Sequence, residues 1–241
     1  MIPKIIHWCW VGPDSPPPFI KRCVKSWKKH MPDYEIRLWD RDSFDMNSVP
    51  FVKEAFEAKK WAFVADYIRL HALYNYGGIY LDSDVMIFKS LDPFLNYKFF
   101  TGQDIYQPNV VMGPEAAIMG SLPKHPFIKE AIEYYKSIRF RDNEGNLNQT
   151  VIPQILGNLL VRYGYEFKDT NQELEEDINI FSTEYFCNKI SKFYRDKNYA
   201  FHINANSWCF TNRGMFFHFC WKYKILFFYR LIEKLNLWFL K

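Results

Sequence analysis

Among ten glycines there is no G-x-x-x-x-G-K-[ST] and no G-x-G-x-x-G. A phosphate would therefore have to be met by something other than a P-loop or a dinucleotide-binding loop. The five cysteines, Cys9, Cys23, Cys187, Cys209 and Cys220, include no C-x-x-C and no zinc spacing. An odd number in a long chain suits free thiols in a reducing compartment better than a disulfide framework. Charge of one sign is also scarce: 31 basic residues stand against 27 acidic, a net +4. That surplus is too small to argue for nucleic acid. No apolar run reaches the ~18 residues of a membrane-spanning helix. The short apolar stretch after Lys4 runs into "GPDSPPP", so no signal peptide is expected.

Aromatic residues, by contrast, make up 20% of the chain and hydrophobic residues 49%. A chain of 241 residues with that much apolar material fits one large α/β domain, or one domain plus an appendage. "KIIHWCWV" reads as a buried first strand, stopped by Gly12 and Pro13. "FIKRCVKSWKKHMP" reads as a helix and "YEIRLWD" as a second strand. The pattern predicts one long helix from Val52 to Tyr76, closed by Gly77-Gly78 as a C-cap, and then a strand. "KFFTGQD" and "NVVMGPEAAIMG" read as strands, "HPFIKEAIEYYKSI" and "TVIPQILGNLLVRYG" as helices. This alternation predicts a mixed sheet covered by helices. The main domain is placed at 1–211, with a separate segment at 212–241.

The strand after the glycines, "GGIYLDSDVMIF", interrupts an apolar run with Asp82 and Asp84. Two like charges one residue apart make sense with a cation between them or with water around them. Oxygen ligands of this kind suit Mg²⁺ or Mn²⁺, and open α/β sheets gather ligands at the carboxyl ends of their strands. Phosphatases of the haloacid-dehalogenase type carry such a motif, but with Thr or Val where this chain has Met86, and much earlier in the sequence. The preceding helix is apolar almost all round, yet it carries Asp66 and Arg69 at i, i+3. The pair is either a buried structural ion pair or a device for holding substrate.

"IPKIIHWCWVG", "AKKWAFVADYIRLHALYNYGGIYLDSDV" and "YAFHINANSW" together resemble the DXD-containing glycosyltransferases. That family includes the yeast initiating α-1,6-mannosyltransferase and bacterial capsular polysaccharide sugar transferases. The catalytic domains of clostridial glucosylating toxins are more distant relatives. The resemblance implies a GT-A (Rossmann-like) fold, a nucleoside-diphosphate sugar donor (UDP or GDP sugar), Mn²⁺ or Mg²⁺, and retention of anomeric configuration. Position by position, it implies that Asp82 and Asp84 serve the metal. Asp66 and Arg69 would hold the donor sugar, with Tyr80 beside them, and Trp10 would stack on the base. The family often reads H-H-W-x-x-S-W near the end; here the residues are His202-Ile203-Asn204-Ala205-Asn206-Ser207-Trp208. Ile203 cannot ligate. His202 is the candidate metal or phosphate contact, Asn206 or Ser207 could complete the metal shell, and Trp208 is a further substrate-binding candidate.

From Asn212 onward six basic residues face a single acid, Glu233. Between Met215 and Leu240 Lys222, Arg230 and Lys234 share one helical side, while Phe228, Trp238 and other aromatics take the opposite one. Such a segment suits the surface of an anionic membrane. The expected enzyme is thus a hexosyl- or N-acetylhexosaminyltransferase acting on a lipid-linked glycan in surface polysaccharide synthesis. Its expected location is cytoplasmic, peripheral on the inner face of the cell membrane. A toxin-like transferase acting on protein and a metal-dependent phosphohydrolase are the alternatives.

Overall fold

The computed structural model of the chain describes residues 1–107, 110–187 and 197–203. The segment 212–241, and with it the expected amphipathic helix, lies outside the described residues, as do Asn206, Ser207 and Trp208.

Three parallel strands form one half of the main sheet: β1 (Ile5–Cys9), β2 (Glu35–Trp39) and β3 (Gly78–Leu81). β1 lies between the other two, with Ile6 abreast of Ile36 on one side and of Ile79 on the other. The short β4 (Val85–Ile87) follows β3 in sequence but joins a second sheet. β5 (Phe99–Gln107) and β6 (Val110–Ser121) pair antiparallel, and β6 inserts antiparallel beside β3. β7 (Gln172–Leu174) and β8 (Ile178–Phe181) complete the far edge, giving the order β2-β1-β3-β6-β5-β8-β7. The second sheet is β4 with β9 (Phe186–Cys187) and β10 (Ala200–His202), in the order β4-β10-β9. The mixed, helix-covered α/β sheet anticipated from the sequence is present.

The period-2 alternation of the strands divides the core in two. Ile6, Trp8, Ile79 and Leu81 enter a cluster closed by α1 (Pro18–His30) through Phe19, Ile20, Cys23 and Trp27. Cys9 and Tyr80 point the other way, into a cluster built with α2 (Pro50–Glu57), α3 (Trp61–Tyr76), α4 (Pro126–Ser137) and α5 (Ile152–Leu160).

The single helix expected from Val52 to Tyr76 is two helices. α2 stops at a turn in which Lys59 N–H donates to Phe56 O at 3.0 Å and Lys60 N–H to Ala55 O at 2.9 Å. Those two bonds form a Schellman cap, whose left-handed residue is Lys59, at φ 57°. The usual glycine is missing, so the break carries no sequence signal. α3 does end on glycine. Gly77 caps it at φ 64°, and Gly78, at φ 99°, lies so close to β1 that a Cβ would fall 2.6 Å from Ile5 O.

His7 is fully buried in β1. Trp39 Nε1–H donates to its Nδ1 at 3.1 Å, and its Nε2 lies 2.8 Å from Gly77 O. The pair of contacts fits the neutral ring with the proton on Nε2. Burial lowers its pKa to about 4. Below pH 6.5 the unfolded chain takes up a proton that the folded chain refuses, so stability should fall from pH 6.5 toward pH 4, by about 3 kcal/mol. Urea midpoints across that range check it. The His7→Gln chain should lack this part of the slope, and an unchanged slope would count against it.

Candidate functional site

The run "IYLDSDVMI" is two strands rather than one, because the acid pair is the turn between the sheets. Asp82 N–H donates to Ala117 O at 2.8 Å, the last contact with the main sheet. Val85 N–H then donates to Asp82 O at 3.0 Å, and β4 departs into the second sheet. Since β1 and β3 are parallel, Trp10 after β1 and Asp82 after β3 lie at the same sheet edge.

A bulge in β6 shapes the wall opposite. Thr101 pairs with Met119, but Gly102 pairs with Glu115, so Ala116, Ala117 and Ile118 are released from β5. Thr101 Oγ1 holds the bulge from within, 2.8 Å from both Glu115 O and Ile118 O. The freed Ala117 carbonyl takes the Asp82 amide. The freed Ala116 carbonyl accepts from Arg69 Nη1 at 2.6 Å.

Arg69 is the hub of the buried side of the site. Its Nη2 donates to Asp66 Oδ1 at 2.8 Å and lies 3.4 Å from Asp82 Oδ1. Tyr80 O–H donates to the same Asp82 oxygen at 2.8 Å, and the guanidinium sits 4.7 Å from the Tyr80 ring centre. Only 4% of Arg69 is exposed and 5% of Asp66. Burial works against the Arg69 charge, but Asp82, Tyr80 and Asp66 outweigh it and raise the pKa, so the guanidinium is charged. Burial pushes the Asp66 carboxyl up to about 7, with Arg69 pulling against it. The guanidinium thus faces Asp66, Asp82 and a carbonyl, and it holds Asp82 in place at the lip of the site.

β10 supplies the third acid-facing group. His202 lies across from Val85, and Ile203 N–H donates to Asp84 O at 3.2 Å. His202 Nε2 is 3.2 Å from Asp84 Oδ1, and Nδ1 is 2.9 Å from Glu115 Oε1. Burial alone would lower the His202 pKa, but Asp84 and Glu115 reverse it and raise it well above the ordinary value. Asp82, Asp84 and His202 each offer a ligand atom, all within 4.8 Å of one another. The two carboxylates fit Mn²⁺ or Mg²⁺ by donor type, and the imidazole adds a softer nitrogen donor beside them.

The structure therefore brings together Asp66, Arg69, Tyr80, Asp82, Asp84 and His202. Trp10 is half-buried, its indole N–H donating to Asp14 O at 2.5 Å, which ties the ring to the loop after β1. Glu115, only 3% exposed, escaped the sequence reading. Its signal was the same as that of the aspartates: an acid inside the apolar run "NVVMGPEAAIMG".

A mixed α/β sheet carrying a D-x-D turn at the carboxyl end of a parallel strand puts the acid pair where open α/β sheets gather their ligands. Residues 17–100, which include the D-x-D, match the family described as "Glycosyltransferase sugar-binding region containing DXD motif". Over that stretch the chain is similar to the DXD-containing glycosyltransferases. It is 29% identical over 227 residues to an uncharacterized glycosyltransferase of Acanthamoeba polyphaga mimivirus, covering 86% of this chain and 84% of the relative. It is 34% identical over 140 residues to a mannosyl phosphorylinositol ceramide synthase of Saccharomyces cerevisiae, covering 56% of this chain and 36% of that protein. An inositol phosphoceramide mannosyltransferase of Schizosaccharomyces pombe is 33% identical over 138 residues, covering 54% and 36%. The chain thus spans little more than a third of these two yeast proteins. Solved structures similar to it include the PaToxG glycosyltransferase, at TM-score 0.48, 18% identity and coverage of 67% and 69%. The galactosyltransferase LgtC with donor and acceptor sugar analogues has TM-score 0.41, 17% identity and coverage of 76% and 74%.

Proposed function

We propose that the chain transfers a hexose, with mannose the first sugar to test, from a nucleoside-diphosphate donor to a lipid-linked glycan or glycolipid, with retention of configuration. The observation that carries this reading is the convergence of Asp82, Asp84 and His202 within 4.8 Å, the two aspartates lying inside the matched sugar-binding region. The yeast relatives, a mannosyl phosphorylinositol ceramide synthase and an inositol phosphoceramide mannosyltransferase, support mannose and a lipid acceptor.

Asp82, Asp84 and His202 would hold Mn²⁺ or Mg²⁺, which when bound neutralises diphosphate charge as a Lewis acid. The chain's own part is to hold those ligands in orientation. Arg69 and Tyr80 fix Asp82 from behind, and the carbonyls of the β6 bulge fix Arg69 and the Asp82 amide. Asp66 and Asp82 are both engaged by Arg69, which favours a direct same-face attack over a carboxylate nucleophile. The acceptor hydroxyl then bonds to the anomeric carbon as the bond to the diphosphate breaks, and its proton passes to the leaving phosphate. The test is a panel of GDP- and UDP-sugars with Mn²⁺ and a glycolipid acceptor, read by nucleoside diphosphate release and by the anomer formed. Release of inorganic phosphate from simple esters in place of sugar transfer would contradict the reading.

Membrane recruitment through residues 215–240 belongs to the same proposal, with the enzyme on the inner face of the cell membrane. The six basic residues from Asn212 onward, at ~1 kcal/mol each near an anionic surface, support it. Full-length protein should float with acidic liposomes and be released by salt, and a chain ending at Asn212 should stay in solution. Full-length protein that ignores acidic liposomes would remove this part of the proposal.

A further inference from the structure

The Asp82, Asp84, His202 cluster needs its imidazole presented through one particular nitrogen. An imidazole can ligate through either ring nitrogen, and the hydrogen bond made by the other nitrogen decides which. On β10, His202 Nε2 faces Asp84 Oδ1 at 3.2 Å, while Nδ1 meets Glu115 Oε1 at 2.9 Å. Glu115 comes from β6, on the far side of the sheet break, at the first pairing beyond the bulge. Its backbone is fixed by Thr101 Oγ1, 2.8 Å from Glu115 O, and its Cβ lies 3.6 Å from where a Gly102 Cβ would be. The carboxylate is thus buried, anchored and aimed. Its second oxygen, Oε2, has no hydrogen-bond partner among the described residues.

A buried acid with one oxygen committed to a single imidazole nitrogen needs a reason, since an ionised carboxylate is expensive to bury. We infer that Glu115 is a positioning residue for the divalent-cation site: it takes the Nδ1 proton of His202 in a hydrogen bond and turns Nε2 toward the cation shared with Asp82 and Asp84. Glu115 itself stands outside the set of mutually close ligand atoms. Its action on the cation therefore passes through His202, and the carboxylate makes the imidazole a better donor. The inference rests on the proposed metal site, and its test separates the two.

Mn²⁺ affinity is measured on the full-length protein by electron paramagnetic resonance, in the absence of donor, for wild type, Glu115→Ala, Glu115→Gln, His202→Ala and the Glu115→Ala/His202→Ala double variant, each first shown to be folded by thermal melting. Removal of a carboxylate behind a ligating histidine weakens binding by ~10–100-fold, which is the loss expected for Glu115→Ala. Glu115→Gln keeps an acceptor oxygen but not the charge, and should lose less affinity than Glu115→Ala. In the His202→Ala background, Glu115→Ala should cause no further loss. A purely structural role for Glu115, or direct ligation by it, predicts the same loss in both backgrounds and would overturn the inference, as would wild-type affinity in Glu115→Ala. Wild-type protein that binds no Mn²⁺ would instead overturn the metal site on which the inference stands.

Discussion

Asp84→Asn is expected to lower turnover by at least ~10²-fold while leaving the protein folded. Substitution at one charge-stabilising group in a preorganised site commonly costs 10²–10³-fold. Asp84 is placed for such a role: it sits in the turn between two sheets, with His202 Nε2 3.2 Å from its Oδ1. Its side chain is 14% exposed, and Asn keeps its shape, so the melting temperature should move by no more than about 4 °C, or roughly 1 kcal/mol for a chain of this size. Losing a negative charge beside Asp82 also relieves repulsion, which works toward stability. Nucleoside diphosphate release and thermal melting on the same preparation check both halves. Undiminished turnover would show that the acid pair is only a solvated turn.

The second large effect is expected at Arg69, where stability and rate should fall together. Arg69→Ala leaves Asp66 buried without its 2.8 Å partner and removes one of the two side chains that hold Asp82. Breaking a buried pair on one side typically costs about 3–5 kcal/mol, which is roughly 6–20 °C in melting temperature for a chain of this length. Asp82 would keep only the Tyr80 hydroxyl among these side-chain supports, so the rate per folded molecule should also fall, by ~10-fold or more. Arg69→Lys keeps the charge but not the planar fork that spans Asp66, Asp82 and Ala116 O, and should be intermediate in both measurements. A sharp loss of stability with an unchanged rate per folded molecule would make the pair purely structural.

Much of this was legible in local pattern. The alternation of Ile6, Trp8, Ile79 and Leu81 against Cys9 and Tyr80 is a period-2 signal. Asp66, Arg69, Asp82 and Asp84 stood out because each interrupts an apolar run. What escaped reading was made by tertiary contact. Lys59 takes a left-handed turn that glycine usually marks, so one expected helix is two. The run from Gly77 to Phe88 looks continuous, but β6 claims Ile79 to Leu81 and β10 claims Val85 to Ile87, and the acids fall between. The β6 bulge depends on Thr101 filling it from β5, which no pattern in "NVVMGPEAAIMG" announces. Glu115 acquires meaning only when β10 brings His202 to it, 87 residues further along the chain.

The most direct test of the account is nucleoside diphosphate release from the best nucleotide sugar, followed through chelation and restoration of the cation. Wild-type protein stripped with chelator should lose its turnover and regain it on addition of Mn²⁺ or Mg²⁺, while Asp84→Asn and His202→Ala should recover little at the same cation concentration. Full turnover in chelator, or equal recovery by all three proteins, would contradict a catalytic cation held by Asp82, Asp84 and His202.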